Sequence, residues 1–150
     1  MTRTRARRSR AYPIHAALDP SGTRLYIANR TAQSITVIDT TVFEEVQTIR
    51  LSTLSHRRGV GLFAVIHGEA VQPDPLAVGV SGDGRRLLVA LWEAGTLAVL
   101  DAHSGSRISE TQLDHVEHSM GPIAIATDWP NQRLYVSCAD HALVTVRDER

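Results

Sequence analysis

The chain has no lysine: all 16 of its basic residues are arginine. Schiff-base chemistry on a lysine amine is therefore excluded, and so is the phosphate-binding loop whose lysine reaches the phosphates. A single cysteine, Cys138, rules out an internal disulfide and any zinc site built from four cysteines, so stability has to come from packing. Apolar runs are short. The longest, Val60 to Ile66, is interrupted by Gly61 and falls well below the roughly 18 apolar residues that a membrane span needs, so insertion into a bilayer is not expected. What the sequence does hold is 43% hydrophobic residues, with 10 glycines and 6 prolines among 150 residues. That is the composition of one ordinary globular domain, and of neither a disordered tail nor a collagen.

The formal net charge of zero hides an uneven distribution. Arg3, Arg5, Arg7, Arg8 and Arg10 crowd into the first ten residues, which hold no acid, and the rest of the chain is mildly acidic. An acidic body is a poor surface for phosphates, and the arginine-rich head is too short and too poor in aromatics to read bases, so nucleic acid is not an expected partner. The segment that follows, Ala11-Tyr12-Pro13-Ile14-His15-Ala16, offers no apolar core of the kind an export signal needs, and no compartment can be assigned from it. Residues 1–12 read as a basic tail ahead of the fold. Since Thr2, Thr4 and Ala6 alternate with Arg3, Arg5 and Arg7, an edge strand is the other reading.

Internal repetition organises the remainder. Residues 13–51 align without a gap with residues 75–113, at an offset of 62: Pro13 meets Pro75, Gly22 meets Gly84, Arg24-Leu25 meets Arg86-Leu87, and Asp39 meets Asp101. A third copy begins at Pro122, offset by 47 from the second, and places Arg133-Leu134 and Asp148 on the same columns. The expected organisation is a unit at 13–51, an insertion at 52–74, a second unit at 75–113 and an incomplete unit at 122–150.

Within each unit an apolar run, a turn, a second run, a polar loop, a third run, a turn and a fourth run follow one another. In the first unit these runs are Ile14–Leu18, Leu25–Ala28, Ser34–Asp39 and Glu44–Ile49, of ordinary strand length. Gly22, Gly84 and Asn131 share one column, where a tight hairpin asks for a residue that tolerates positive φ. Leu87-Leu88-Val89-Ala90 and Leu97-Ala98-Val99-Leu100 are apolar on both sides. Strands of that kind are buried on both faces, so each sheet is expected to be covered by another on either side. Four short antiparallel strands per repeat of about 40 residues, sheet stacked on sheet, predict an all-β fold, the four-stranded blades of an incomplete β-propeller. Propellers close with about four to eight blades, more than this sequence encodes. Self-association or a partner chain is therefore expected to cover the open blade faces, and Leu143–Val146 is expected to form an open sheet edge.

Leu25-Tyr26-Ile27-Ala28-Asn29 and Leu134-Tyr135-Val136-Ser137, each preceded by a proline-led strand and a Gly or Asn turn, resemble the YVTN-type propeller repeat, which is WD40-like in architecture. Ile35-Thr36-Val37-Ile38-Asp39 is similar to the second half of that repeat, and Leu97-Ala98-Val99-Leu100-Asp101 is similar more loosely. The resemblance covers residues 13–51, 75–113 and 122–150 and implies a propeller fold. It implies no single activity, because such repeats occur in surface-layer proteins, lactonases, amine-dehydrogenase heavy subunits and haem-binding domains, many of them outside the cytoplasm. The middle unit departs from the pattern at Leu88 and Leu91, and the third carries Cys138 in the asparagine column.

Histidine is the most suggestive feature. In a propeller, the connections between blades share a face with the loops between second and third strands. That places His56 and His67 in the long junction, His115 and His118 in the short one, His141 in the third unit's loop and His15 beside the channel on one face, with Glu69, Trp92, Glu93 and Asp140. His103 falls on the other face. His115 and His118, three positions apart in the short junction, with His141 from the neighbouring loop, are the residues that could hold a divalent metal; Glu117 points away from them in an extended segment. Trp92 reads as a rim-packing residue and Cys138 as a buried small hydrophobe. Val60–Ile66 reads as an extended segment inside an insertion that pads the junction, covers a substrate or meets a partner.

Two functions follow. One is a binding or assembly module that presents the histidine-rich loop face to a ligand or protein partner and does no chemistry. The other is part of a propeller enzyme, a lactonase or a metal- or haem-assisted oxidoreductase, with its site at the channel mouth.

Overall fold

The computed structural model describes residues 11–51, 72–113, 121–131, 133–139 and 144–147. They form eleven strands: β1 (Pro13–Leu18), β2 (Arg24–Asn29), β3 (Ser34–Asp39), β4 (Glu44–Arg50), β5 (Pro75–Val80), β6 (Arg86–Leu91), β7 (Thr96–Asp101), β8 (Arg107–Gln112), β9 (Pro122–Asp128), β10 (Arg133–Cys138) and β11 (Val144–Arg147). Every strand pairs antiparallel with its sequence neighbour, giving sheets of four, four and three strands. The first strands β1, β5 and β9 lie side by side where the sheets meet, β1 against β5 and β5 against β9.

Turn chemistry fixes the hairpins. At the β1–β2 turn Asp19 Oδ1 accepts the Arg24 N–H at 2.8 Å, and at the β5–β6 turn Ser81 Oγ accepts the Arg86 N–H at 2.8 Å. Gly22 and Gly84 follow at φ 71° and 72°. Asn131, in the same column, is not among the left-handed residues, contrary to the sequence expectation. Its side-chain amide donates to Asp128 Oδ2 at 2.9 Å, a bond glycine cannot make, and that bond ties the turn without the left-handed residue. The left-handed positions of the first two sheets recur in register: Tyr12 with Asp74, Gln33 with Gly95, Phe43 with Gly105, and Gly22 with Gly84. The backbone path belongs to the repeat, even where a bulky residue such as Phe43 occupies a column that suits glycine.

Irregularities recur in register as well. The pairing skips Ile14, Leu76 and Ile123 near the start of the three first strands, and Val46 and Ile108 in β4 and β8. A bulge turns its extra residue out of the alternation. Of the five residues skipped, Ile14, Val46, Ile108 and Ile123 are exposed.

Two apolar layers hold the stack. In the first, Tyr26, Ala28, Ile35 and Val37 of the first sheet meet Val78, Val80, Leu87, Val89 and Leu100 of the second. In the other, Leu88 and Leu97 from the opposite face of the second sheet meet Leu134 and Val136 of the third. The middle sheet is thus buried on both sides, as its unbroken apolar runs require. Tyr26 illustrates the fit: it is 1% exposed, and its hydroxyl donates across the interface to the Ala102 carbonyl at 3.4 Å. Burial pushes that phenol above its ordinary range.

Candidate functional site

The face that carries the β2–β3 and β6–β7 turns is built around a clamp between the first two sheets. Arg30, in the β2–β3 turn, reaches Asp74, the residue before β5, through two parallel bonds: Nε to Oδ1 at 2.7 Å and Nη2 to Oδ2 at 2.9 Å. Gln33 completes the clamp, accepting the Asp74 N–H on Oε1 at 2.7 Å and donating from Nε2 to the Arg30 carbonyl at 2.9 Å. The paired carboxylate holds the Arg30 guanidinium above its ordinary value. Asp74 is left-handed at φ 48° directly before a proline, an arrangement that costs energy and is held in place by these bonds.

The same position in the next repeat is filled differently. The Trp92 N–H donates to the Asp74 carbonyl at 3.0 Å, and the Trp92 carbonyl lies so close to Gly121, the residue before β9, that a Cβ there would stand 1.9 Å from its oxygen. An ion pair joins the first two sheets at this position, and a backbone contact that only glycine permits joins the next two. The sequence reading missed Arg30, Gln33, Asp74 and Gly121. Their signal was present, since Tyr12, Asp74 and Gly121 each precede a proline at the same column.

A groove of about 500 Å³ runs along the first strands, lined by His15, Val78, Gly79, Ile125 and Trp129 among others. His15 is exposed on β1, and its Nδ1 accepts the Val78 N–H at 3.4 Å. Gly79 keeps the floor low, because a Cβ there would come within 3.1 Å of Ile125. Trp129 closes one end by packing on Gly82, where a Cβ would lie 2.8 Å from the ring.

Of the residues singled out by sequence, His15 is exposed on β1 and lines the groove, Glu93 is exposed, and Trp92 is half-buried in the β6–β7 turn. His103 lies on the opposite face, in the β7–β8 turn. Cys138 is buried as a thiol at the end of β10. His56, His67, Glu69, His115, Glu117, His118, Asp140 and His141 lie outside the described residues, as do the arginine-rich head and the Val60–Ile66 segment. Among the described residues no three His, Cys, Asp or Glu side chains converge on a point that could hold a metal.

The opposite face is a set of carboxylate-tied turns. Asp101 accepts the Ser104 N–H at 2.7 Å, the Ser104 hydroxyl at 2.9 Å and the His103 N–H at 3.0 Å, and these bonds hold its carboxyl below the ordinary range. The Thr41 hydroxyl and N–H do the same for Asp39, and the Ser81 hydroxyl and Arg85 N–H for Asp83. Because the folded values lie below the ordinary 3.8, the stability these groups supply is complete above it and is lost as the pH falls through the folded values. The melting temperature is expected to hold between about pH 7 and 5 and to drop below about pH 4, with Asp101→Asn flattening the acid limb. A melting temperature indifferent to pH between about 5 and 3 would contradict this.

No protein-family model matches the chain, and no curated protein is similar to it in sequence. Solved structures are similar in fold. Hydrazine synthase of Kuenenia stuttgartiensis aligns at a TM-score of 0.70 and 20% identity over 98% of this chain. The dihydro-heme d1 dehydrogenase NirN, in complex with DHE, aligns at 0.66 and 25% over 93%. The β-propeller domain of Cps50 (Swd1) from Myceliophteria thermophila aligns at 0.63 and 12%, also over 93%. The chain spans only 36%, 26% and 36% of those chains, respectively. With each repeat folded as one antiparallel sheet, the sheets stacked face to face and their first strands adjacent, the chain consists of consecutive blades of a β-propeller.

Proposed function

We propose that the chain is a binding and assembly module built from YVTN-type blades, working through its open sheet faces and its histidine-bearing loop face and not through a reaction of its own. The observation that carries this reading is the state of the first blade's outward face. Leu18, Leu25, Ile27 and Ile38 stand there in the columns where the second blade has Val80, Leu87, Val89 and Leu100. The second set is buried beneath a neighbouring blade, whereas Leu18 is 56% exposed and the other three are half-buried. An apolar sheet face of this kind is a surface for association. Light scattering across about 1–100 µM is expected to show mass rising with concentration, and a concentration-independent monomer would overturn the proposal.

The groove along the first strands favours a second reading, a propeller enzyme with its site at the channel mouth. Two of the similar structures carry the names of enzymes and the third that of a propeller domain. The fold by itself does not choose. Titration with zinc sulfate, and separately with hemin, tests the enzyme reading: saturable one-to-one binding that His15→Ala weakens would support it, and no binding of either would remove it.

A further inference from the structure

We infer that the outer edge of the first blade is a docking surface for an arginine-rich extended segment, and that its occupant is the chain's own head, residues 2–8, laid along β4 as a fifth strand. Such docking is independent of the assembly reading above.

β4 is the last strand of its sheet, and among the described residues nothing pairs with its outer side, so one row of backbone N–H and C=O groups is open there. In the repeat register this edge differs from the matching edge of the second blade: Phe43-Glu44-Glu45 stands where that blade has Gly105-Ser106-Arg107. Glu44 and Glu45 are exposed, and so is Phe43, at 70%, although its φ of 58° belongs to a column that suits glycine. An aromatic residue in a left-handed conformation costs energy, and here no burial of the ring offsets it. Val46, the bulge residue of the same strand, is exposed as well. A ring, two carboxylates and an apolar side chain suit arginine, whose guanidinium stacks on the first and pairs with the second while its stem lies on the third. The second blade's edge offers no such site, since Arg107 fills the column of Glu45 and pairs with Glu110 at 2.9 Å.

The head supplies the matching chemistry. Arg3, Arg5, Arg7, Arg8 and Arg10 come without an acid, and Thr2, Thr4 and Ala6 alternate with the first three at the period of an extended strand. One turn sets where the head leaves the fold. The Ala32 N–H donates to the Ala11 carbonyl at 3.4 Å, and the Leu51 N–H donates to the carbonyl of Gln33, the next residue of that turn, at 2.9 Å. The head therefore departs close to the end of β4. An added strand lies about 4.8 Å beyond β4, and Ser9 and Arg10 can bridge a gap of about 10 Å. Residues 2–8 then span about 23 Å when extended, as do the 7 residues of β4. Both segments run toward the same turn, so the pairing is parallel and sets Arg3 and Arg5 near Glu44 and Glu45. The one arginine of β4, Arg50, lies at the other end of the strand from these carboxylates.

Hydrogen exchange followed by mass spectrometry on the full chain tests this docking. In wild type, residues 2–8 are expected to exchange at least about tenfold more slowly than a free peptide of that sequence, and β4 more slowly than β8. Reversing the head charges (Arg3→Glu, Arg5→Glu and Arg7→Glu) or the edge charges (Glu44→Arg and Glu45→Arg) is expected to abolish both protections and to keep the β-sheet circular dichroism spectrum. Both reversals in one chain should restore protection, because the charges match again. If the edge variant loses its β spectrum, Glu44→Gln with Glu45→Gln takes its place, and wild type in about 0.5 M NaCl gives a second reading of the charge dependence, with loss of protection expected in each. Protection that grows with concentration across about 1–100 µM would place the head on a second copy and overturn docking within the chain. An unprotected head in wild type would overturn the docking outright. So would protection of β4 that survives reversal of the head charges, because another segment would then cover the edge. None of these outcomes touches the assembly reading, which rests on the sheet face and not on its edge.

Discussion

Gly121→Ala is expected to detach the third blade from the second. The added Cβ would sit 1.9 Å from the Trp92 carbonyl oxygen and 2.7 Å from its carbon, both of them backbone atoms that cannot rotate aside as a side-chain tip can. The Trp92 backbone is itself fixed, by its N–H on the Asp74 carbonyl and by its carbonyl, which accepts the Gly95 N–H at 3.2 Å. Relief therefore has to come from moving the chain that leads into β9, which would pull Ile125 away from Gly79 and Leu134 and Val136 away from Leu88 and Leu97. Overpacking that displaces backbone costs about 3 kcal/mol, and the loss here should be local. Hydrogen exchange followed by mass spectrometry is expected to show β9 and β10 losing protection while β6 and β7 keep theirs. Wild-type protection across all four strands would mean that the junction yields more easily than its bonds suggest.

Leu100→Ala is expected to destabilise the whole stack by about 2–5 kcal/mol, the range for a buried leucine whose surroundings close only partly over the gap. Leu100 is fully buried in the layer between the first two blades, opposite Leu87 in the register. Against a total stability of about 5–15 kcal/mol for a domain, that loss should lower the urea midpoint severely. Ile38→Ala is the matched control, one repeat earlier in the same column but on the open face. In the monomer it should cost about 1 kcal/mol, since Ile38 is only half-buried there. Equal costs at the two positions would mean that the first blade's face is already covered in solution, and the difference should shrink as the protein associates.

Local signals along the chain specified the repeating unit and its number of strands. Turn residues and hydrophobic runs are local, and their recurrence at fixed offsets marked the ends of β1 to β4 and β5 to β8 to within a residue or two. The sequence also implied that the middle blade is covered on both sides, because Leu87–Ala90 leaves no face for water. It went too far at Asn131, where column identity implied a left-handed residue and a side-chain hydrogen bond serves instead. It showed Asn29 giving way to Leu91 one repeat later, but the reason lies in the pairing between strands: Asn29 donates to Thr36 at 2.8 Å, and where leucine replaces the asparagine, Ala98 replaces the threonine, so that neither partner is left unsatisfied. How one blade meets the next emerged only from the packing of the sheets. Arg30 and Asp74 are 44 positions apart, and Trp92 and Gly121 belong to different repeats. No period within a repeat encodes those contacts, because they arise where separately folded sheets are laid against each other and each turn meets the strand that follows a junction. The bulges at Ile14, Val46, Ile108 and Ile123 have the same origin: they are set by the register between paired strands, which no pattern along a single strand encodes.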